Sequence, residues 1–197
     1  MINKRIFLVI ACAVASCCYI QAQDYKSDFE QIQQQFQARL KPTANNLKEY
    51  VRTYPYTPYI DEVLLMQGVL QVEKQKYKDA IKIFGGIKDK NLARNTQAML
   101  YFYLGYAYLQ QQEYKKALPL LQRISNKESI YSPHARYYAG YCYYCQEDFS
   151  RAMAEFLAVE NLSGYKQIAP YYIIQIYYAQ QAYDKVYDRA EELLAQY

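Results

Sequence analysis

Apolar and polar positions recur along the last two thirds of the chain with a long period. Gly68, Gly105 and Gly140 each sit on an apolar stretch, each followed nine residues later by an aromatic ring (Tyr77, Tyr114, Phe149) and twelve later by alanine (Ala80, Ala117, Ala152). A fourth, degenerate copy carries Ile174, Tyr183 and Val186 at the same offsets. Further apolar anchors follow in each copy, at Phe84, Leu121, Phe156 and Ala190 and then at Ile87, Ile124, Val159 and Leu193. Successive glycine slots are 37, 35 and 34 residues apart, the signature of a repeat architecture, and apolar residues three and four apart within each copy predict helices.

Breakers divide each copy into two helices. Pro58, Pro133 and Pro170 fall at or near the starts of first helices, where a missing N–H costs little. Gly85-Gly86 and Gly164 weaken the ends of units. Pro119 lies inside a second helix, close enough to its start that a mild kink suffices. The small residue of the first helix and the alanine of the second lack the volume that would hold the two helices apart, as close helix packing requires. Upstream, Phe29, Ile32, Phe36 and Leu40 form one helical stripe, and after Pro42 Ala44, Leu47 and Val51 form a second.

The motif Gly-x8-Tyr/Phe-x2-Ala/Val, in four in-register copies over residues 58–197, resembles the tetratricopeptide repeat, although the first-helix Trp slot of that family holds Leu64, Tyr101, Arg136 and Pro170. The resemblance implies an all-α, right-handed solenoid of antiparallel helix hairpins. Its units are expected at about 58–92, 93–129, 130–164 and 165–197, preceded by a degenerate hairpin over 23–57. The run Tyr50-Val51-Arg52-Thr53-Tyr54-Pro55 and the following Pro58-Tyr59-Ile60-Asp61-Glu62 resemble helix ends and unit junctions of exported envelope proteins of this family in Gram-negative bacteria.

Residues 1–22 read as a secretory leader, with Lys4-Arg5, an apolar stretch from Ile6 to Ile20, and Gln21-Ala22. The apolar stretch is too short for a comfortable membrane span. Two cleavage schemes compete. Val14-Ala15-Ser16-Cys17 resembles a bacterial lipobox that would make Cys17 the lipidated first residue, and an ordinary signal peptidase would cut after Ala22. The expected location is the periplasm or the outer membrane, with a membrane contact only through an N-terminal lipid. At the other end Leu193-Leu194-Ala195-Gln196-Tyr197 stays on an apolar stripe without a polar capping helix, which suggests the beginning of a longer repeat protein.

Composition sharpens the picture at one residue type. Of 197 residues 52% are hydrophobic, yet 26 are Tyr, seven Phe and none Trp, and the mean hydropathy of −0.37 excludes a membrane-embedded bundle. The net charge is +4, and without Lys4 and Arg5 the balance is 21 basic to 19 acidic. That near-neutral balance gives no basis for nucleic-acid binding. The cluster Lys74, Lys76, Lys78, Lys82, Lys88, Lys90 is interrupted by Glu73, Asp79 and Asp89 and reads as a solvated helical face.

Enzymatic chemistry finds little support. Cys142 and Cys145 form a C-x-x-C, but in the middle of a first helix rather than at a helix N-terminus, where a dithiol gains its lowered pKa. A metal site lacks ligands, since His134 is the one histidine and sits beside Pro133 at a helix start. No nucleophile triad, phosphate loop or pair of catalytic carboxylates can be assembled. The expectation is a non-enzymatic protein without cofactor or metal.

In the family that the motif resembles, first helices line a concave groove, and its exposed residues fall three before, one after and four after the glycine slot. Carried over, these are Leu65, Val69 and Val72; Phe102, Tyr106 and Leu109; Tyr137, Tyr141 and Tyr144; and Tyr171, Gln175 and Tyr178. The tyrosines three after the slot, Tyr108, Tyr143 and Tyr177, are assigned to the hairpin interiors, while Tyr101, Tyr103, Tyr138 and Tyr172 are left unassigned. Rings with hydroxyl tips suit a surface that is wet when empty and buried when occupied. The implied partner is a protein or peptide of the cell envelope, with glycan or peptidoglycan-fragment binding on the same rings as the alternative. The basic clamps that grip a C-terminal carboxylate in some relatives are missing.

Overall fold

The computed structural model describes residues 24–41, 43–126 and 128–195, so the leader and Cys17 lie outside the described residues. All regular structure among them is helical. An N-terminal pair, α1 (residues 24–37) and α2 (Thr43–Thr53), precedes four further hairpins: α3 (Ile60–Glu73) with α4 (Tyr77–Phe84), α5 (Arg94–Gln110) with α6 (Tyr114–Ser125), α7 (Ser132–Cys145) with α8 (Phe149–Leu157), and α9 (Ala169–Ala179) with α10 (Tyr183–Leu194). Consecutive helices pack on one another in chain order, with α5 also touching α3 and α7, which makes the architecture a one-dimensional stack.

One turn closes every hairpin. Apart from Gly164 (φ 91°), between the third and fourth units, the chain enters the left-handed region only at the hairpin turns among the described residues, at Arg39 (φ 53°), Gln75 (58°), Gln112 (59°), Glu147 (60°) and Gln181 (59°). The next residue then donates its N–H back across the helix end: Leu40 to the Gln35 carbonyl (3.0 Å), Lys76 to Gln71 (2.8 Å), Glu113 to Tyr108 (2.9 Å), Asp148 to Tyr143 (3.0 Å) and Ala182 to Tyr177 (2.9 Å). These bonds satisfy carbonyls that a helix end otherwise leaves free. The N-terminal pair therefore shares the turn of the other four, although its sequence lacks their glycine and aromatic slots.

The glycine slots mark where the helices touch. A Cβ on Gly68 would lie 2.1 Å from the Phe84 ring, one on Gly105 3.0 Å from Leu121, and one on Gly140 3.0 Å from Phe156. In the last hairpin the same two register positions hold Ile174 and Ala190, so the bulk moves from the second helix to the first.

Each second helix presents a stripe to the first helix of the next unit. Ala80 and Phe84 cluster with Leu100, Leu104 and Ala107; Ala117, Leu121 and Ile124 with Ala135, Ala139 and Cys142; and Ala152, Phe156 and Val159 with Ala169, Ile173 and Ile176. Buried Asp61 in the first turn of α3 accepts the Lys88 N–H (3.0 Å) and the Asn91 side-chain amide (2.7 Å), which ties the α4–α5 loop to the unit that precedes it. Around the N-terminal pair Phe29, Ile32, Leu47 and Tyr50 form a separate core with Val63 and Met66. Leu40, expected on the α1 stripe, is exposed instead, because α1 has ended and the turn at Arg39 points the chain away.

Candidate binding face

Ring contacts join expected groove positions of α5, α7 and α9 through a second set of rings. Tyr103, Tyr138 and Tyr172 all fall two residues before the glycine slot. Tyr138 packs against the preceding unit's Tyr106 (ring centroids 5.1 Å) and Phe102 (6.2 Å). Tyr172 meets Tyr141 (5.7 Å), Tyr144 (5.5 Å) and Tyr137 (6.1 Å) edge-on while stacking on Phe156 (4.9 Å, 11° between planes). These rings thus form a continuous layer in tilted, edge-to-face and stacked contacts, with tilted and edge-to-face geometries, which aromatic quadrupoles favour, predominating.

Phe102, Tyr106, Tyr137, Tyr141 and Tyr144 are consequently half-buried, as is Gln175. Tyr171 (58% exposed) and Tyr178 (62%) are open, because no following unit supplies a wedging ring among the described residues. Four expected groove residues are core instead. Leu109 is buried in the cluster that α5 shares with α6 and α7, and Leu65, Val69 and Val72 are buried where Phe36 of α1 and Tyr103 and Tyr106 of α5 close over α3.

Between α5, α7 and α9 the layer opens into a cleft of about 310 Å³, walled by Tyr114, Tyr137, Tyr138, Tyr141 and Tyr172, with Leu109 at its base and Gln110 and Gln112 at its edge. The wedge position and the aromatic slot were the signals that could have placed Tyr138, Tyr172 and Tyr114 here. Burial pushes the Tyr138 hydroxyl up to about 12 and raises that of Tyr137 further. The Tyr141 hydroxyl is raised first by its hydrogen bond to Cys145 and then by burial. The cleft therefore offers neutral hydroxyls and amides over flat apolar rings. A second cavity, of about 450 Å³, lies between the N-terminal pair and α3 and α5, with Phe36, Val69, Met99, Tyr103 and Tyr131 on its walls and the Arg39–Glu73 ion pair (2.8 Å) on its lining.

The tyrosines assigned to hairpin interiors divide. Tyr143 is buried, accepts a hydrogen bond from the Gln122 amide (2.6 Å) and lies beneath Arg151 (4.6 Å to the ring centre). Tyr108 and Tyr177 are half-buried, each beneath a lysine of its own second helix, Lys116 and Lys185, both 5.4 Å from the ring centre. They stand at the hairpin turn, where packing is replaced by a cation over the ring face. Tyr101 donates to Asp89 (2.6 Å) beneath Arg123, on the loop joining two units.

The C-x-x-C occupies the last turn of α7. Cys142 is fully buried, and burial pushes its thiol up to about 12. A thiol so raised is a poor nucleophile, and the negative end of a helix dipole does nothing to lower it. His134 is exposed, and its Nδ1 meets the hydroxyl of Tyr165 on the loop before α9. No group of three or more His, Cys, Asp or Glu among the described residues could hold a metal ion, and no helix among them is long and apolar enough to cross a membrane.

Stacked hairpins of this register define the class: the chain has the tetratricopeptide-repeat fold. It is similar over 87% of its length to 93% of a chain of MamA 41-end from Desulfovibrio magneticus RS-1, at 19% identity and a TM-score of 0.65. A tetratricopeptide repeat protein from Parabacteroides merdae matches 88% of this chain with 67% of its own, at 18% identity and a TM-score of 0.67. YrrB, described as a TPR protein with an unusual peptide-binding site, matches 90% of this chain with 81% of its own, at 21% identity and a TM-score of 0.58. No family model matches the sequence, and no curated protein matches it.

Proposed function

We propose that the protein is a non-enzymatic interaction scaffold of the bacterial cell envelope that holds a protein or peptide partner against the ring layer of α5, α7 and α9. The observation that carries this reading is the cleft where Tyr114, Tyr137, Tyr138, Tyr141 and Tyr172 converge from three successive hairpins. Aromatic walls supply contact area at low side-chain entropy cost, and uncharged hydroxyls and the Gln110 and Gln112 amides can pair with an extended backbone. The peptide-binding site named for YrrB, on the same fold, supports a peptide ligand. The envelope location rests on the leader in residues 1–22, and so does a lipid tether at Cys17.

A photo-crosslinking residue at position 141, installed in the intact chain in cells, tests the reading. One partner captured at 141 and absent at the exposed control position Tyr56 is the expected result, and capture should fall in a Tyr172→Ala background. Equal labelling from both positions would overturn it. Saturable tyrosine-fluorescence quenching by oligosaccharides, lost in Tyr141→Ala, would move the assignment to glycan binding.

A further inference from the structure

The cavity between the N-terminal pair and α3 and α5 has two unlike ends. First helices of successive units run the same way, so the ends of α1 and α3 lie together, while the first half of α5 and the residue before α7 lie toward the opposite side. Arg39, Lys41, Glu73 and Lys74 come from the former, and Met99 and Tyr131 from the latter. Phe36, Val69, Leu70 and Tyr103 form the walls between them. Every lining residue thus falls within 36–131, and none comes from α9 or α10.

The charged end is unbalanced. Glu73 is engaged by Arg39 (2.8 Å), and among the described residues neither Lys41 nor Lys74 forms an ion pair. Three exposed cations therefore share the mouth with one carboxylate. The space behind them, about 450 Å³, lies within the range of about 300–1,000 Å³ that small-molecule sites occupy.

We propose that this cavity binds a single-chain amphiphile with an anionic head, its chain laid against Phe36, Val69, Met99, Tyr103 and Tyr131 and its head beside Lys41 and Lys74. The two ends identify the ligand class. Methylenes that cover the apolar walls supply the binding free energy. The solvated ammonium groups add little attraction of their own and chiefly select the sign of the head. An extended peptide fits less well, because Gln37 is the one amide side chain of the lining and the Thr43 hydroxyl is already given to the Leu40 carbonyl (2.6 Å). Residues 1–22 of this chain bring Lys4 and Arg5 and no acidic residue, which the same mouth repels. The cavity shares no lining residue with the ring cleft, so the proposal stands apart from the cleft reading.

Isothermal titration of the intact chain with monomeric dodecanoate, and separately with dodecyl phosphate, tests it. Saturable binding at one site is expected for at least one of the two, and the tighter one names the head group. Octanoate should bind about tenfold more weakly or worse, since each methylene taken from the chain uncovers apolar wall. Dodecyltrimethylammonium and dodecyl maltoside should lose as much. The double variant Lys41→Glu/Lys74→Glu should weaken binding about tenfold or more, whereas Glu73→Gln, which removes the one carboxylate at the mouth, should strengthen it about two- to fivefold. Met99→Trp should weaken binding by filling the apolar end, and Tyr141→Ala should leave it unchanged. Circular dichroism checks that each variant keeps wild-type helicity, as the exposed positions of Lys41, Glu73 and Lys74 lead one to expect. Absence of saturable binding, equal binding of the cationic chain, or binding unmoved by the double lysine variant overturns the proposal. Loss in Tyr141→Ala would place the chain on the ring cleft and also overturn it, without touching partner capture at position 141.

Discussion

Replacing Gly68 by alanine should destabilise the protein, against the trend of helix propensity. In an exposed helix the change is favourable by about 1 kcal/mol. Here the new Cβ would stand 2.1 Å from one carbon of the Phe84 ring and 2.6 and 2.7 Å from two others, where carbon atoms at rest are about 3.5–4.0 Å apart. The ring is 2% exposed and has no free space to enter. Helix α3 must move off α4, and overpacking of this kind costs about 1–3 kcal/mol. At the upper end of that range, the net loss is about 2 kcal/mol. Gly105 and Gly140 provide the internal comparison, since a Cβ there meets the neighbouring side chain at 3.0 Å and needs a shift of a few tenths of an ångström. Gly105→Ala and Gly140→Ala should therefore lie within about 1 kcal/mol of wild type. The measurement is urea unfolding followed by far-UV circular dichroism. A double-mutant cycle adds Phe84→Ala, which imitates the Ile174–Ala190 pairing of the last hairpin, and the two substitutions should couple favourably by about 1–3 kcal/mol. If Gly68→Ala unfolds at the same or higher urea concentration than Gly140→Ala, or if the cycle shows no coupling, steric contact at the slot is not what selects glycine there.

Three further outcomes are expected. Gln112→Gly, at φ 59°, should stabilise by about 0.5 kcal/mol in urea melts, whereas Gln112→Val should destabilise by more than 1 kcal/mol, because a β-branched residue tolerates the left-handed region poorly. The Tyr131 and Tyr138 hydroxyls are raised by burial to about 12 from an ordinary value of 10.0, so the fold favours their neutral form. Their contribution is fully present below pH 10 and lost as pH climbs toward 12, which melting temperatures across that interval, with phenolate absorbance, would follow. Cys142 should resist iodoacetamide at pH 8 in the folded chain and react only on denaturation, with peptide mass mapping as the readout.

The repeat was legible because close helix approach constrains residue type so strongly that Gly68, Gly105 and Gly140, with their paired alanines, show through in one sequence. That Tyr137 and Tyr141 share one wall was legible for the same reason, since their offset from that slot sets their direction. Their exposure was not. Whether Phe102 or Tyr141 sees solvent depends on the neighbouring unit's Tyr138 or Tyr172, and that is decided by the angle between units, which no local pattern encodes. Leu65, Val69 and Val72 were misplaced for a related cause: Phe36, from a hairpin without the repeat's signature, packs against their cluster. The shared turn at Arg39 was equally hidden, because glutamine, glutamate and arginine occupy left-handed positions that glycine would have announced.

The half-covered last hairpin also bears on how the molecule breathes. In this chain, where each unit is held by its neighbours, local opening should begin at α10, which has no buried residue among those described, so amide hydrogen exchange should be fastest there and slow progressively toward α7.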